Sequence, residues 1–162
     1  MTSLLDLTAA QPTRSLAPEE ILIVQGEGGG DLFVLLSGEL SVTRDGVEIA
    51  TLSQPGTLVG EMSVLLGTRN TATVRARRES KLKAIRDAAK VLESEPKLAM
   101  RVGAVVAGRL DATSALLVEL SRQGADKAVG PGLFSRIVTA LALSAGEASV
   151  ERRDLFGGGP GN

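Results

Sequence analysis

The chain has 162 residues, 43% of them hydrophobic, which suits one domain with appendages; aromatics are 2%, all phenylalanine (Phe33, Phe134, Phe156), so the core is expected to be aliphatic. A net charge of -1 gives no basic excess for nucleic acid, and so few aromatic faces leave no stacking platform for single strands. The absence of Cys and His excludes disulfides, Cys/His zinc sites, thiolate-held Fe–S clusters, His- or Cys-ligated haem, and Ser-His-Asp or Cys-His nucleophiles.

Residues 1–12 form a short segment ending at Pro12, read as either a packed helical turn or a frayed tail. It lacks the basic and long apolar regions of a signal peptide, and no apolar run nears the ~18 residues of a membrane span, so a soluble, cytoplasmic protein without membrane contact is expected. Residues 13–86 read as β structure. Ile21-Leu22-Ile23-Val24 is a β-branched run broken by Gly26-Glu27-Gly28-Gly29-Gly30-Asp31, where three successive glycines call for a flexible or left-handed turn. Leu32-Phe33-Val34-Leu35-Leu36 is an apolar strand stopped by Ser37-Gly38, and the alternation through Leu40, Val42 and Arg44 runs into Asp45-Gly46, a two-residue hairpin signal. Val47, Ile49 and Thr51 continue the return strand, Pro55-Gly56 marks a turn, and residues 71–74 and 81–85 supply two more strands. Short strands between frequent turns, with no helix of crossover length among them, point to an antiparallel sandwich or barrel rather than a parallel α/β sheet.

From Asp87 the period changes to that of a helix. Residues 87–93 predict a short helix, and Ser94-Glu95-Pro96 the start of a longer one, with Ser94 as N-cap and Pro96 in the first turn. Leu98, Val102, Val105, Val106, Leu110, Leu116, Leu117 and Leu120 recur at helical spacing; Gly103 and Gly108 interrupt them and suggest close approach of another backbone. Residues 87–124 are thus a helical segment. Residues 125–162 form an extension with a possible helix at 133–145 and a Gly-rich tail expected to be disordered.

Residues 60–74 carry the chemistry. Gly60-Glu61-Met62-Ser63 predicts a turn into a short apolar helix that breaks at Gly67, followed by Arg69-Asn70-Thr71-Ala72 in a polar loop. N–H groups at a helix start favour an anion, the Glu61 carboxylate suits sugar hydroxyls, and Arg69 suits phosphate charge. The bland alternatives are a Glu61 that only interacts with the helix dipole and a solvated loop arginine. The carboxylates Glu19, Glu20, Glu27 and Asp31 fix no acid/base pair, so no enzyme is expected.

Taken together, these stretches resemble the cyclic nucleotide-binding domain family. The resemblance is carried by Pro18-Glu19-Glu20-Ile21-Leu22-Ile23-Val24-Gln25-Gly26-Glu27, Leu32-Phe33-Val34-Leu35-Leu36-Ser37-Gly38-Glu39-Leu40, Pro55-Gly56-Thr57-Leu58-Val59-Gly60-Glu61-Met62, and residues 60–74, which look like its phosphate-binding cassette. It covers about residues 16–85 and the two following helices. It implies an eight-stranded antiparallel β-roll (jelly-roll) with flanking helices, no cofactor, and cAMP or cGMP as ligand. By position it places Glu61 on the ribose 2′-hydroxyl, the N–H groups of Met62 and Ser63 at the phosphate after Gly60, and Thr71 and Ala72 beside it. The family's phosphate arginine falls on Asn70, with Arg69 one residue earlier. Either Arg69 turns into the site or Asn70 faces the phosphate, and loss of that contact costs roughly 2–5 kcal/mol.

The resemblance implies a sensor whose ligand shifts the C-terminal helices, similar to bacterial catabolite-activator sensor domains. The alternative is a degenerate domain that binds no nucleotide and serves in dimerisation or docking. Both use helix 95–122 as a homodimer or protein-partner surface, unless its stripe packs on its own roll. Only 38 residues follow Gly124, with one good helix at most, so a helix-turn-helix and DNA binding are not expected.

Overall fold

The computed structural model describes residues 2–124, which fall into two compact units, one reaching Ala107 and the other beginning at Gly108. The expectations for residues 133–145 and the Gly-rich tail lie outside the described residues. The elements are α1 (Leu4–Leu7), β1 (Thr13–Leu16), β2 (Ile21–Ile23), β3 (Leu32–Ser37), β4 (Leu40–Arg44), β5 (Val47–Leu52), β6 (Leu58–Val59), α2 (Glu61–Leu66), β7 (Thr73–Ala76), β8 (Ser80–Ile85), α3 (Ala88–Ser94) and α4 (Pro96–Gly124). The strands form two four-stranded sheets, ordered β1-β8-β3-β6 and β2-β7-β4-β5, with every pair antiparallel. This is the expected antiparallel β-roll with flanking helices and a long C-terminal helix.

The near-continuous apolar run of β3 has a physical reason: both faces of the first sheet are covered. Phe33 and Leu35 point into the roll with Leu16, Leu40, Val74 and Leu82, while Leu32 and Val34 point outward. Leu4, Ala88, Leu92, Leu98 and Val102 of the helices pack on that outer face. The second sheet keeps one face in water, and Val47 and Ile49 on β5 are 61% and 58% exposed. Across β5, Arg77 pairs with Glu48, whose carboxylate holds the guanidinium above its ordinary pKa.

Of the first segment, residues 2–12 are described, and they contain a packed helical turn. Ser3 caps α1 through a reciprocal bond with Asp6, and Leu4 is buried. The Asp45-Gly46 hairpin has both residues at positive φ (50° and 78°), as a primed turn requires. Where the chain passes between sheets, Ser80 is fully buried and its hydroxyl bonds Glu39 N–H and the Arg78 carbonyl (3.0 and 2.8 Å).

Four expectations need correction. Strand β7 begins at Thr73, so Thr71 and Ala72 lie in the bend before it. Ser94 ends α3 instead of capping α4, its hydroxyl donating back to the Val91 carbonyl (3.1 Å) while Glu95 separates the helices. Among the described residues nothing outside the helix's own backbone lies within 4 Å of where a Cβ on Gly103 or Gly108 would stand, so neither marks a close approach of another described segment. The helical stripe also divides. In the first unit Leu98 and Val102 belong to the core, whereas in the second Leu110, Leu116 and Leu120 are exposed. Pro96 does occupy the first helical position.

Candidate functional site

Residues 60–67 form the helical half of the cassette. Gly60 precedes α2 at φ 89°, and a Cβ there would lie 2.6 Å from the Asp31 carbonyl oxygen, so only glycine fits this entry. No side chain caps α2 at that position. Glu61 and Ser63 are buried and Met62 is exposed, because the helix lays one side on the roll. The Ser63 hydroxyl donates to the Gly60 carbonyl (3.1 Å), and Gly67, left-handed at φ 64°, ends the helix by donating its N–H to the Ser63 carbonyl.

The polar half, residues 68–72, is tied to the glycine loop between β2 and β3. Asn70 accepts from Gly26 N–H (2.8 Å) and donates its own N–H to the Glu27 carbonyl (2.9 Å). Its side-chain amide donates to the carbonyls of Val24 and Gly28 (3.2 and 3.4 Å). Gly29 is pressed against both halves: a Cβ there would stand 2.3 Å from Ser63 Oγ and 2.9 Å from Asn70 Oδ1. Arg69 is exposed and donates to the Gly26 carbonyl (3.1 Å). Thr71 and Ala72 are half-buried, and the Thr73 hydroxyl accepts from Gln25 N–H (3.0 Å). Asn70 therefore acts as a neutral staple where a phosphate cation was expected, and the guanidinium of Arg69 is engaged with a main-chain carbonyl.

A cavity of about 320 Å³ opens beside β1 and β2, each an edge strand of its sheet. Arg14, Asp31, Arg86, Asn70 and the main chain of Gly28 and Gly29 line it. Of the predicted site residues only Asn70 does so; Gly60, Glu61, Met62, Ser63, Arg69, Thr71 and Ala72 do not. Arg86 pairs with Asp31 at 2.5 Å, and the other Asp31 oxygen accepts Asp87 N–H (3.2 Å). Gly30 accepts Ala88 N–H (2.8 Å), so the loop that meets the cassette also meets the start of α3. Sequence reasoning missed Arg14 and Arg86, which reach the loop only through the pairing of β1 with β8 and of β8 with β3. Among the described residues no cluster of Asp and Glu suits a metal ion.

Two antiparallel sheets closed into a roll, with a short helix entered through a left-handed glycine and a long helix after the last of these strands, define the class of domain. The sequence profile of the cyclic nucleotide-binding domain matches residues 13–90, and the chain belongs to that family. Its curated relatives include the cGMP-dependent protein kinase egl-4 of Caenorhabditis briggsae, 40% identical over 55 residues. That match covers 34% of this chain but only 7% of the kinase, so the chain spans a small part of that relative's length. Among solved structures, the N-terminal domain of a transcriptional regulator from Streptomyces coelicolor A3(2) is 32% identical, covers 68% of this chain and 81% of that one, and has a TM-score of 0.51. The Thermus thermophilus catabolite activator protein shares the fold at 23% identity, over 88% of this chain and 84% of that one, with a TM-score of 0.59.

Proposed function

We propose that this domain is a regulatory module that binds cAMP or cGMP at the cassette and transmits occupancy to its helices. The observation that carries this reading is the helical half of the cassette, with Glu61 buried at the start of an uncapped α2. Glu61 accepts the ribose hydroxyl, and the N–H groups of Met62, Ser63 and Ala72 meet the phosphate, with Thr71 beside them. The glycine loop supplies a route to α3, since it bonds both Asn70 and Ala88. The exposed leucines of α4 form a homodimer or partner surface. Among the described residues no helix is long and apolar enough to cross a membrane.

The staple at Asn70 favours a second reading, a docking module without nucleotide. Its amide is spent on Val24 and Gly28, and it brings no charge to a phosphate. Calorimetric titration with cAMP and cGMP separates the two. The sensor reading expects saturable heat that Glu61→Ala weakens at least tenfold. Absence of heat and of any thermal shift at millimolar nucleotide rejects it in favour of the docking module. Light scattering tests the helical surface, and a strict monomer at high concentration counts against it.

A further inference from the structure

The cavity beside β1 and β2 is chemically distinct from the start of α2. Its charges are unevenly spent. Arg86 is held by Asp31, whose second oxygen is also bonded. Arg14 meets only Glu20, at 3.9 Å, and the other oxygen of Glu20 already accepts Ala17 N–H (2.9 Å). Among the described residues the guanidinium of Arg14 makes no hydrogen bond, and the N–H groups of Gly28 and Gly29 have no acceptor. The remaining carboxylate on the cavity wall, Glu27, is exposed to solvent.

Arg14, Gly28 and Gly29 line one cavity, and a guanidinium together with main-chain N–H groups is a combination that binds oxyanions. We propose that this cavity is an oxyanion seat of phosphate size, with Arg14 as counter-charge and the N–H groups of Gly28 and Gly29 as donors. Its occupant is free inorganic phosphate, because the proposed function puts a nucleotide's own phosphate at the start of α2. Arg14 keeps its place because β1 is paired along its length with β8, so the guanidinium stands on a strand rather than on the loop. The seat does not depend on nucleotide binding at the cassette.

The test is a titration of the full chain with inorganic phosphate, followed by backbone amide NMR at constant ionic strength. Saturable shifts are expected at Gly28 and Gly29. Arg14→Gln is expected to weaken binding at least tenfold, Arg14→Lys by less, and Arg44→Gln, on exposed β4 surface, not at all. Far-UV circular dichroism checks that the variants fold, and the lysine variant keeps the test decisive where the glutamine variant does not. The proposal is overturned by the absence of saturable shifts at tens of millimolar phosphate, or by Arg14 variants that titrate like the parent. A cyclic nucleotide that displaces the phosphate overturns the seat as a site separate from the cassette. Phosphate that stays bound beside the nucleotide supports the seat.

Discussion

Residues 60–67 of the cassette take their shape from glycine conformation and close approach, whereas residues 68–72 take theirs from hydrogen bonds to the glycine loop. The helical half is fixed by what a side chain would collide with: Gly60 against the Asp31 carbonyl and Gly29 against Ser63. The polar half is fixed by what Asn70 can donate and accept. Steric constraints of the first kind tolerate almost no substitution. Hydrogen bonds of the second kind are individually worth about 1 kcal/mol and can be exchanged. The half that holds the ribose carboxylate in the proposed function is thus the sterically fixed one, and the half expected to supply phosphate charge is the one stapled by the neutral Asn70.

This contrast can be broken or sharpened by substitution. Gly60→Val adds a Cβ at a left-handed φ and drives it into a carbonyl oxygen, and should cost about 3–5 kcal/mol, read as a lowered urea midpoint. Gly29→Ala meets Ser63 and Asn70 without a left-handed backbone and should cost about 1–3 kcal/mol in the same assay, with amide exchange rising in the loop and in α2 together. Asn70→Ala removes the bonds to Val24 and Gly28 and should cost about 1–2 kcal/mol, with faster exchange confined to the loop. Arg69→Ala removes one exposed hydrogen bond and should stay within about 0.5 kcal/mol by thermal melt. If Asn70→Ala proves more costly than Gly60→Val, the division into a steric half and a hydrogen-bonded half is wrong. A fall in nucleotide affinity in Arg69→Ala at unchanged stability would show that this arginine leaves Gly26 to meet the ligand.

Much of this architecture is legible in the chain because it is encoded locally. Asp45-Gly46 names its own turn, residues 32–36 announce a strand buried on both faces, and Gly60 and Gly67 bracket a helix that the structure places at Glu61–Leu66. What escaped depends on partners distant in sequence. Strand β6 has two residues and exists only because β3 pairs with it. Thr71 and Ala72 have strand-like composition, but the bonds from Asn70 to the loop hold that stretch in a bend. Ser94 has the chemistry of an N-cap, yet its hydroxyl is taken by the preceding helix. The residues expected at the cassette can be named from one contiguous motif. The cavity beside it cannot, because Arg14, Asp31 and Arg86 converge only when β1, β8 and β3 have paired in the first sheet.

The position of β8 has a consequence for how the chain reaches this structure. Among the described residues it is the last strand in the chain, yet it stands inside its sheet, between β1 and β3. The β4–β5 hairpin needs only its own turn and can close early. The first sheet must wait for residue 85, with β1 unpaired and one edge of β3 open until then. Such non-local pairing is slow, and an apolar strand left open invites association between nascent chains. Synthesis halted before β8 should therefore yield an aggregating product, and the outer face of β3 is covered only once the chain has passed Val102.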